Sequence, residues 1–338
     1  MIQKWQMPVY YRHFKCKCEN CRHTCCSNYT IPVTREEYYD LVTMECSPEL
    51  NRRIQNAFVV PDITSNTVFR IIGFNYLGYC PIQKDGLCSI CLEGHADKLP
   101  LVCDIYPRSL KKINNHHIAC CSNSCEGVIE LLSEEGSADL IEEETELETL
   151  VRQEMSEEDY GMMEWMRNII NENHSLNDNL INICKILNND FENNYDSDEE
   201  PLDVLFKLMP LFKRSDSDLS EMIERVIDAY KNNYWLYRED EKLFKEKYPD
   251  YESFFKRIIF NNFLYVNFPF VDNRFNASDA YKGLCLYYGM MKVICVEETT
   301  TEKNIVDCIS AVFRLVEHTP FFYNVSFLKE NVSILLKL

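Results

Sequence analysis

The residues most able to do chemistry are cysteines, and 13 of the 17 lie between Cys16 and Cys125. FKCKCENCRHTCC supplies Cys16, Cys18, Cys21, Cys25 and Cys26, and CPIQKDGLCSIC supplies Cys80, Cys88 and Cys91. VCDIYPR adds Cys103, and ACCSNSC adds Cys120, Cys121 and Cys125. Intervals such as Cys18 to Cys21, Cys21 to Cys25, Cys88 to Cys91 and Cys121 to Cys125 let neighbouring thiolates converge on one ion or cluster without strain. Zinc takes four ligands in a tetrahedron and usually shows two regularly separated C-x2-C knuckles. Iron–sulfur clusters accept several irregularly spaced thiolates. More than four thiolates in one nearly neutral region fits iron–sulfur better, with zinc and plain or disulfide-bonded thiols as the alternatives.

Not every cysteine reads as a ligand. Cys184, Cys285, Cys295 and Cys308 fall in apolar helical runs and read as core, and the isolated Cys46 reads as packing. Cys18, Cys91, Cys120 and Cys121 stay ambiguous, because adjacent thiols seldom all reach one centre. His23, His95, His116 and His117 lie among the cysteines without a motif that pairs any of them with a lone nucleophile.

Other chemistries lack their residues. The chain has only 9 glycines, none in G-x-G-x-x-G or G-x-x-x-x-G-K-[ST], so a nucleotide fold is not expected. No segment matches the glycine-rich loop of the usual methyltransferase fold. Cys18, Cys21 and Cys25 carry the C-x3-C-x2-C intervals of radical enzymes in reverse order. With 35 basic against 54 acidic residues, a net charge of −19 and a pI near 4.8, no nucleic-acid partner is expected. The opening MIQKWQMPVYYRHF lacks an export pattern, and no run approaches the roughly 18 apolar residues of a membrane span. The expectation is a cytoplasmic protein, no membrane partner, and reduced thiols.

These cysteines need elements to hold them. The fold class expected is mainly α: a loop-rich cysteine-cluster N-terminal domain, 1–130, an acidic linker or helix, 131–160, and an α-helical domain, 161–338. Net charge is +1 over residues 1–130 and −20 over the remainder. Thr34 and Glu37 make a capping box for a short helix through Tyr38, Leu41 and Val42, and VFRIIGF at 68–74 reads as a strand. Residues 131–160 carry 12 acidic side chains against Arg152, which reads as a solvated helix or linker, or as a dock for a basic partner. NNDFENNYDSDEEP at 188–201 reads as a mobile or disordered loop. Farther on, Leu219, Met222, Ile223, Val226, Ile227 and Tyr230 share one helical face behind the cap-rich SDSD at 215–218. Ile305, Cys308, Ile309, Val312, Phe313 and Val316 share another. Phe254, Phe255, Ile258, Ile259 and Phe263 mark a third helix that should stop before Pro269.

At its cysteines the chain resembles the flagellin lysine-N-methylase family, within the YkgJ-like cysteine-cluster proteins. The resemblance rests on Phe14, Cys16, Cys21, Thr24, Cys25, Cys26 and the stretch Tyr29-Thr-Ile31, then on Cys80, Pro81, Gly86, Leu87 and Cys88. It continues through Cys103, Tyr106, Pro107 and Arg108 to Ser124 and Cys125 at a helix start, and to ESFFKRIIFNNFLYVNFPF. Position 29 is Tyr where the family more often has Trp. The resemblance implies a 4Fe-4S cluster and transfer of methyl groups from S-adenosylmethionine to lysine side chains of flagellin. The ligand candidates it implies are Cys16, Cys21, Cys25, Cys26, Cys80, Cys88, Cys103 and Cys125, of which one cluster uses four. The alternative is a non-catalytic zinc- or iron-binding protein whose helical domain recruits a partner.

Lysine methylation requires a neutral amine, and deprotonating lysine at pH 7 costs about 4.6 kcal/mol. Aromatic walls desolvate the ammonium and can hold a sulfonium by cation–π contact. The donor pocket has no motif. Arg108 is the candidate for binding the donor's carboxylate, against the simpler expectation that it caps a helix or pairs with a nearby acid.

Overall fold

The computed structural model describes residues 2–27, 31–75, 78–213, 218–274, 276–300 and 304–338. Tyr29 and Thr30 of the family motif, and Ser215–Ser217 of the expected helix cap, lie outside these. The chain divides into two units: Cys16–Tyr106 is one, and Met1–Lys15 with Pro107–Leu338 is the other. This differs from the boundary expected at residue 130. The reason is a strand at the N-terminus whose partners come after the cysteine segment.

In the unit Cys16–Tyr106, a three-stranded antiparallel sheet runs in the order Ile31–Val33, Arg70–Ile72, Phe58–Val59. The strand expected within 68–74 is therefore Arg70–Ile72. Helices Arg35–Thr43 and Pro48–Gln55 pack on it, burying Leu41, Leu50 and Ile54 against Val33 and Ile72. The capping box is formed as expected: Glu37 N donates to Thr34 Oγ1 at 3.2 Å, and Thr34 N donates to Glu37 Oε2 at 2.7 Å. This core is small, and Cys46, Cys80, Cys88 and Cys103 are packed against it.

The other unit is mainly helical around a five-stranded sheet, ordered Val151–Gln153, Arg108–Ile113, His116–Cys121, Gln3–Pro8, Leu140–Thr145. Gln3–Pro8 runs parallel to His116–Cys121 and antiparallel to Leu140–Thr145. Residues 131–160 thus contribute the two strands Leu140–Thr145 and Val151–Gln153 to this sheet, where a linker or helix was expected. Pairing with Gln3–Pro8 places Lys4 against Glu142 (2.5 Å) and Arg12 against Glu143 (2.5 Å), which offsets part of the acidic repulsion. The segment 188–201 is also ordered in part, because Phe191 is fully buried in the short helix Phe191–Tyr195.

The expected helical faces are present. Leu219, Met222, Ile223, Val226 and Tyr230 are buried on Asp218–Tyr230, and Cys308, Ile309, Val312, Phe313 and Val316 on Ile305–His318. Tyr251–Val266 ends three residues before Pro269, with Asn267 at φ 59° as its left-handed cap. Ala280–Thr300 is apolar almost all round from Leu284 to Val296 and fills the centre. Cys184, Cys285, Cys295 and Cys308 are buried there, with Cys184 Sγ 3.7 Å from Cys285 Sγ. Among the described residues no helix is long and apolar enough to cross a membrane.

Candidate functional site

Local structure brings several of the cysteines of the unit Cys16–Tyr106 together. Cys80 N donates to the carbonyl of Cys26 at 2.9 Å, so the two segments run side by side. Cys88 closes a hairpin opposite Gln83, made by the Asp85–Gly86 turn with both residues at positive φ. Arg53 holds that hairpin by donating to the Gln83 carbonyl at 2.7 Å. Cys103 sits on the helix Leu101–Ile105, whose first amide, Leu101 N, donates to Glu37 Oε1 at 2.7 Å. One carboxylate therefore completes a capping box and anchors a second cysteine-bearing helix.

The thiols feel one another electrostatically. Burial, with Cys26, Cys80 and Cys88 as neighbours, pushes the Cys103 thiol up, and burial raises Cys80 to about 11 beside Cys26 and Cys88. A hydrogen bond from Cys25 lowers Cys26 to about 7 against the opposing effect of burial, and the same bond raises Cys25. Crowded, partly desolvated thiols resist ionising together unless a cation joins them, which is what thiolate coordination provides. Cys18 is separate from this set, donating its thiol proton to Cys16 Sγ at 3.8 Å. Among the described residues no three Cys, His, Asp or Glu side chains form a ready-made metal-binding group. The donor chemistry fits a multi-thiolate centre. Cys125, the eighth candidate, belongs to the other unit, where it opens the helix Glu126–Leu132 as the family motif implies.

Arg108 begins the strand Arg108–Ile113 in that other unit. Its guanidinium lies over the Phe14 ring, 5.0 Å from the centroid, and reaches the Phe14 carbonyl at 3.5 Å. Among the described residues no carboxylate pairs with it, and because Phe14 is the C-cap residue of the helix Val9–His13 the guanidinium sits at that helix end, as the simpler expectation had it.

A second constellation in the same unit was not visible in the sequence as a site. The loop Ser122–Ser124 follows the strand His116–Cys121 and meets two helices. Glu317, on Ile305–His318, accepts from Ser122 Oγ at 2.5 Å and from Asn262 Nδ2 at 2.8 Å. The backbone amides of Asn123 and Ser124 also point at its carboxylate, yet burial holds it up at about 7. His318 Nε2 lies 2.7 Å from Ser124 Oγ and 3.2 Å from Ser122 Oγ. Alongside, Tyr10 OH donates to Asn261 Oδ1 at 2.6 Å and accepts from Cys121 N at 2.8 Å. Asn261 Nδ2 donates to Asn123 Oδ1 at 2.6 Å, and Asn123 Nδ2 to the Ile258 carbonyl at 2.9 Å. The signal available was Asn261-Asn262 inside an otherwise apolar helix: buried amides in such a place must have partners.

A family model described as the FliB lysine N-methylase C-terminal domain matches residues 139–337, more than half of the chain. The chain belongs to the FliB lysine N-methylase family. The match takes in Asn261, Asn262, Glu317 and His318, so the polar constellation lies largely on the FliB domain itself, whereas every cysteine of the first 125 residues precedes it. No match was found among curated proteins or among solved structures.

Proposed function

We propose that this FliB-family chain is an iron–sulfur-containing protein-lysine N-methyltransferase, acting in the cytoplasm on lysine side chains of flagellin with S-adenosylmethionine as donor. The FliB lysine N-methylase match over residues 139–337 carries the reading. The donor supplies a methyl carbon activated by a sulfonium. Arg108 is the residue proposed to bind its carboxylate. A half-buried guanidinium stacked on Phe14, with no carboxylate paired to it among the described residues, is presented for bidentate contact.

For the cluster, the thiols proposed as ligands are Cys26, Cys80, Cys88 and Cys103. Cys103 interacts with the other three, Cys80 interacts with Cys26 and Cys88, and none of the four is in a disulfide. Four thiolates are what one 4Fe-4S cluster requires. Cys16, Cys21, Cys25 and Cys125 lie outside this quartet. The strongly acidic surface beyond residue 130 favours approach of a lysine-bearing protein.

The test is anaerobic purification followed by incubation with labelled donor and flagellin. A brown protein with iron and acid-labile sulfide in equal amounts, and single-methyl mass steps on flagellin lysines, is the expected result. A colourless protein with stoichiometric zinc and unmodified flagellin would instead establish the non-catalytic alternative. Arg108→Lys should weaken donor binding at least tenfold, and unchanged affinity would remove Arg108 from the site.

A further inference from the structure

The polar constellation around Glu317 leaves buried polar atoms unmet. Asn262 Oδ1 and Tyr287 OH are buried with no hydrogen-bond partner among the described residues, and both residues are essentially inaccessible. Glu317 itself is only partly buried. Among the described residues no lysine, arginine or histidine forms an ion pair with it. A desolvated carboxylate next to an orphaned amide oxygen is a place that lacks a cationic hydrogen-bond donor. A primary ammonium brings three N–H donors and one positive charge.

We infer that Glu317 and Asn262 receive the ε-amine of the lysine to be methylated, and that Glu317 takes its proton. This rests on the methyltransferase reading above. In the step, an N–H bond of the ammonium breaks and its proton goes to a carboxylate oxygen of Glu317. The freed nitrogen lone pair then forms the N–C bond as the C–S bond of the sulfonium breaks, leaving a methylated ammonium and a neutral thioether. Ser122 and Ser124 give the proton a way out. Ser122 Oγ contacts Glu317, the two hydroxyls are hydrogen-bonded to each other, and Ser124 Oγ lies 2.7 Å from Nε2 of the partly exposed His318.

Desolvation places Glu317 near neutrality, where it can both accept and release a proton. The titratable groups facing it are His318 through Ser124, together with Tyr10, Tyr287, Cys120 and Lys111, each of which interacts electrostatically with its carboxylate. Tyr10, Tyr287 and Cys120 are all held neutral by burial, which leaves Lys111 as the neighbouring ammonium.

The experiment uses the full chain and Nα-acetyl-L-lysine methylamide as probe. Glu317→Gln, nearly isosteric, should bind the probe at least tenfold more weakly and lose about 100-fold or more in kcat for methyl transfer. It should also lose the acid limb of the kcat/KM profile. Probe affinity and kcat within threefold of the wild type would overturn the inference. Should Glu317→Gln not fold, carbodiimide coupling of the probe to the wild-type protein decides: amide formation at Glu317, mapped by mass spectrometry, supports it, and coupling confined to other carboxylates overturns it. If the wild type transfers no methyl group at all, the methyltransferase reading fails, while probe binding and coupling still decide whether this is an amine site.

Discussion

Nζ of Lys111 lies 2.5 Å from Oδ1 of Asn267, at the point where the helix Tyr251–Val266 ends. The same ammonium donates to the carbonyls of Leu264 (2.5 Å) and Tyr265 (3.0 Å), in the last turn of the helix. Asn267 Nδ2 in turn donates to Gln153 Oε1 at 2.8 Å. One lysine of the sheet thus terminates the helix that carries Asn261 and Asn262. Replacing Lys111 with Met removes a buried positive charge from the negative end of a helix together with the three hydrogen bonds it donates. The expected loss is about 2–4 kcal/mol, read as a lower urea midpoint without a change of slope.

Glu317 makes stability depend on pH in a direction opposite to that of most carboxylates. An unfolded Glu titrates near 4.3, and the folded protein holds this one at about 7. Between those values the native state binds the extra proton. The contribution is therefore full below about pH 4.3 and is lost as pH rises through 7, a fall of about 4 kcal/mol. Urea unfolding of wild type and Glu317→Gln across this range should show the fall in the wild type alone, and parallel curves would contradict it.

Single Cys→Ser substitutions at Cys26, Cys80, Cys88 and Cys103 should each lower bound iron by more than half and bleach the visible absorption. Cys46→Ser, at a thiol whose electrostatic neighbour is Glu93 and not another cysteine, should retain both. Removing the metal with a strong chelator should lower the thermal midpoint of the wild type, because ligands that bind only the folded state stabilise it.

Glu37 is the residue on which the placement of Cys103 turns. Its two oxygens accept from Thr34 N and Leu101 N at 2.7 Å each. Glu37→Ala should cost about 1–2 kcal/mol and reduce iron retention. Glu37→Gln, which keeps one acceptor oxygen, should lose less on both counts, as measured by thermal unfolding with parallel iron analysis.

Periodicity gave away the helices because it is local: the faces Leu219–Tyr230 and Ile305–Val316, and the stop ahead of Pro269, need nothing from distant residues. The capping box at Thr34 and Glu37 was readable for the same reason. The sheet was not. Leu140–Thr145 carries three consecutive glutamates, and Gln3–Pro8, more than 130 residues earlier, gives them an antiparallel partner in which Lys4, opposite Glu144, reaches diagonally to Glu142. The cysteines were legible as a chemical set, but their grouping depends on contacts such as Cys80 N to the Cys26 carbonyl, which no spacing encodes. Glu317 and His318 had no motif at all. They matter through the loop Ser122–Ser124, almost 200 residues away in the chain.

The interior position of the strand Gln3–Pro8 has a consequence for biosynthesis. This strand is flanked by two that leave the ribosome only after about a hundred further residues have been translated. Until then it has nothing to pair with, whereas Cys16–Tyr106 has already emerged with its own small core. Order of synthesis therefore lets the thiol-bearing insert mature ahead of the scaffold that encloses it in sequence. The thiols of that insert are in place before the FliB domain of residues 139–337 has been made.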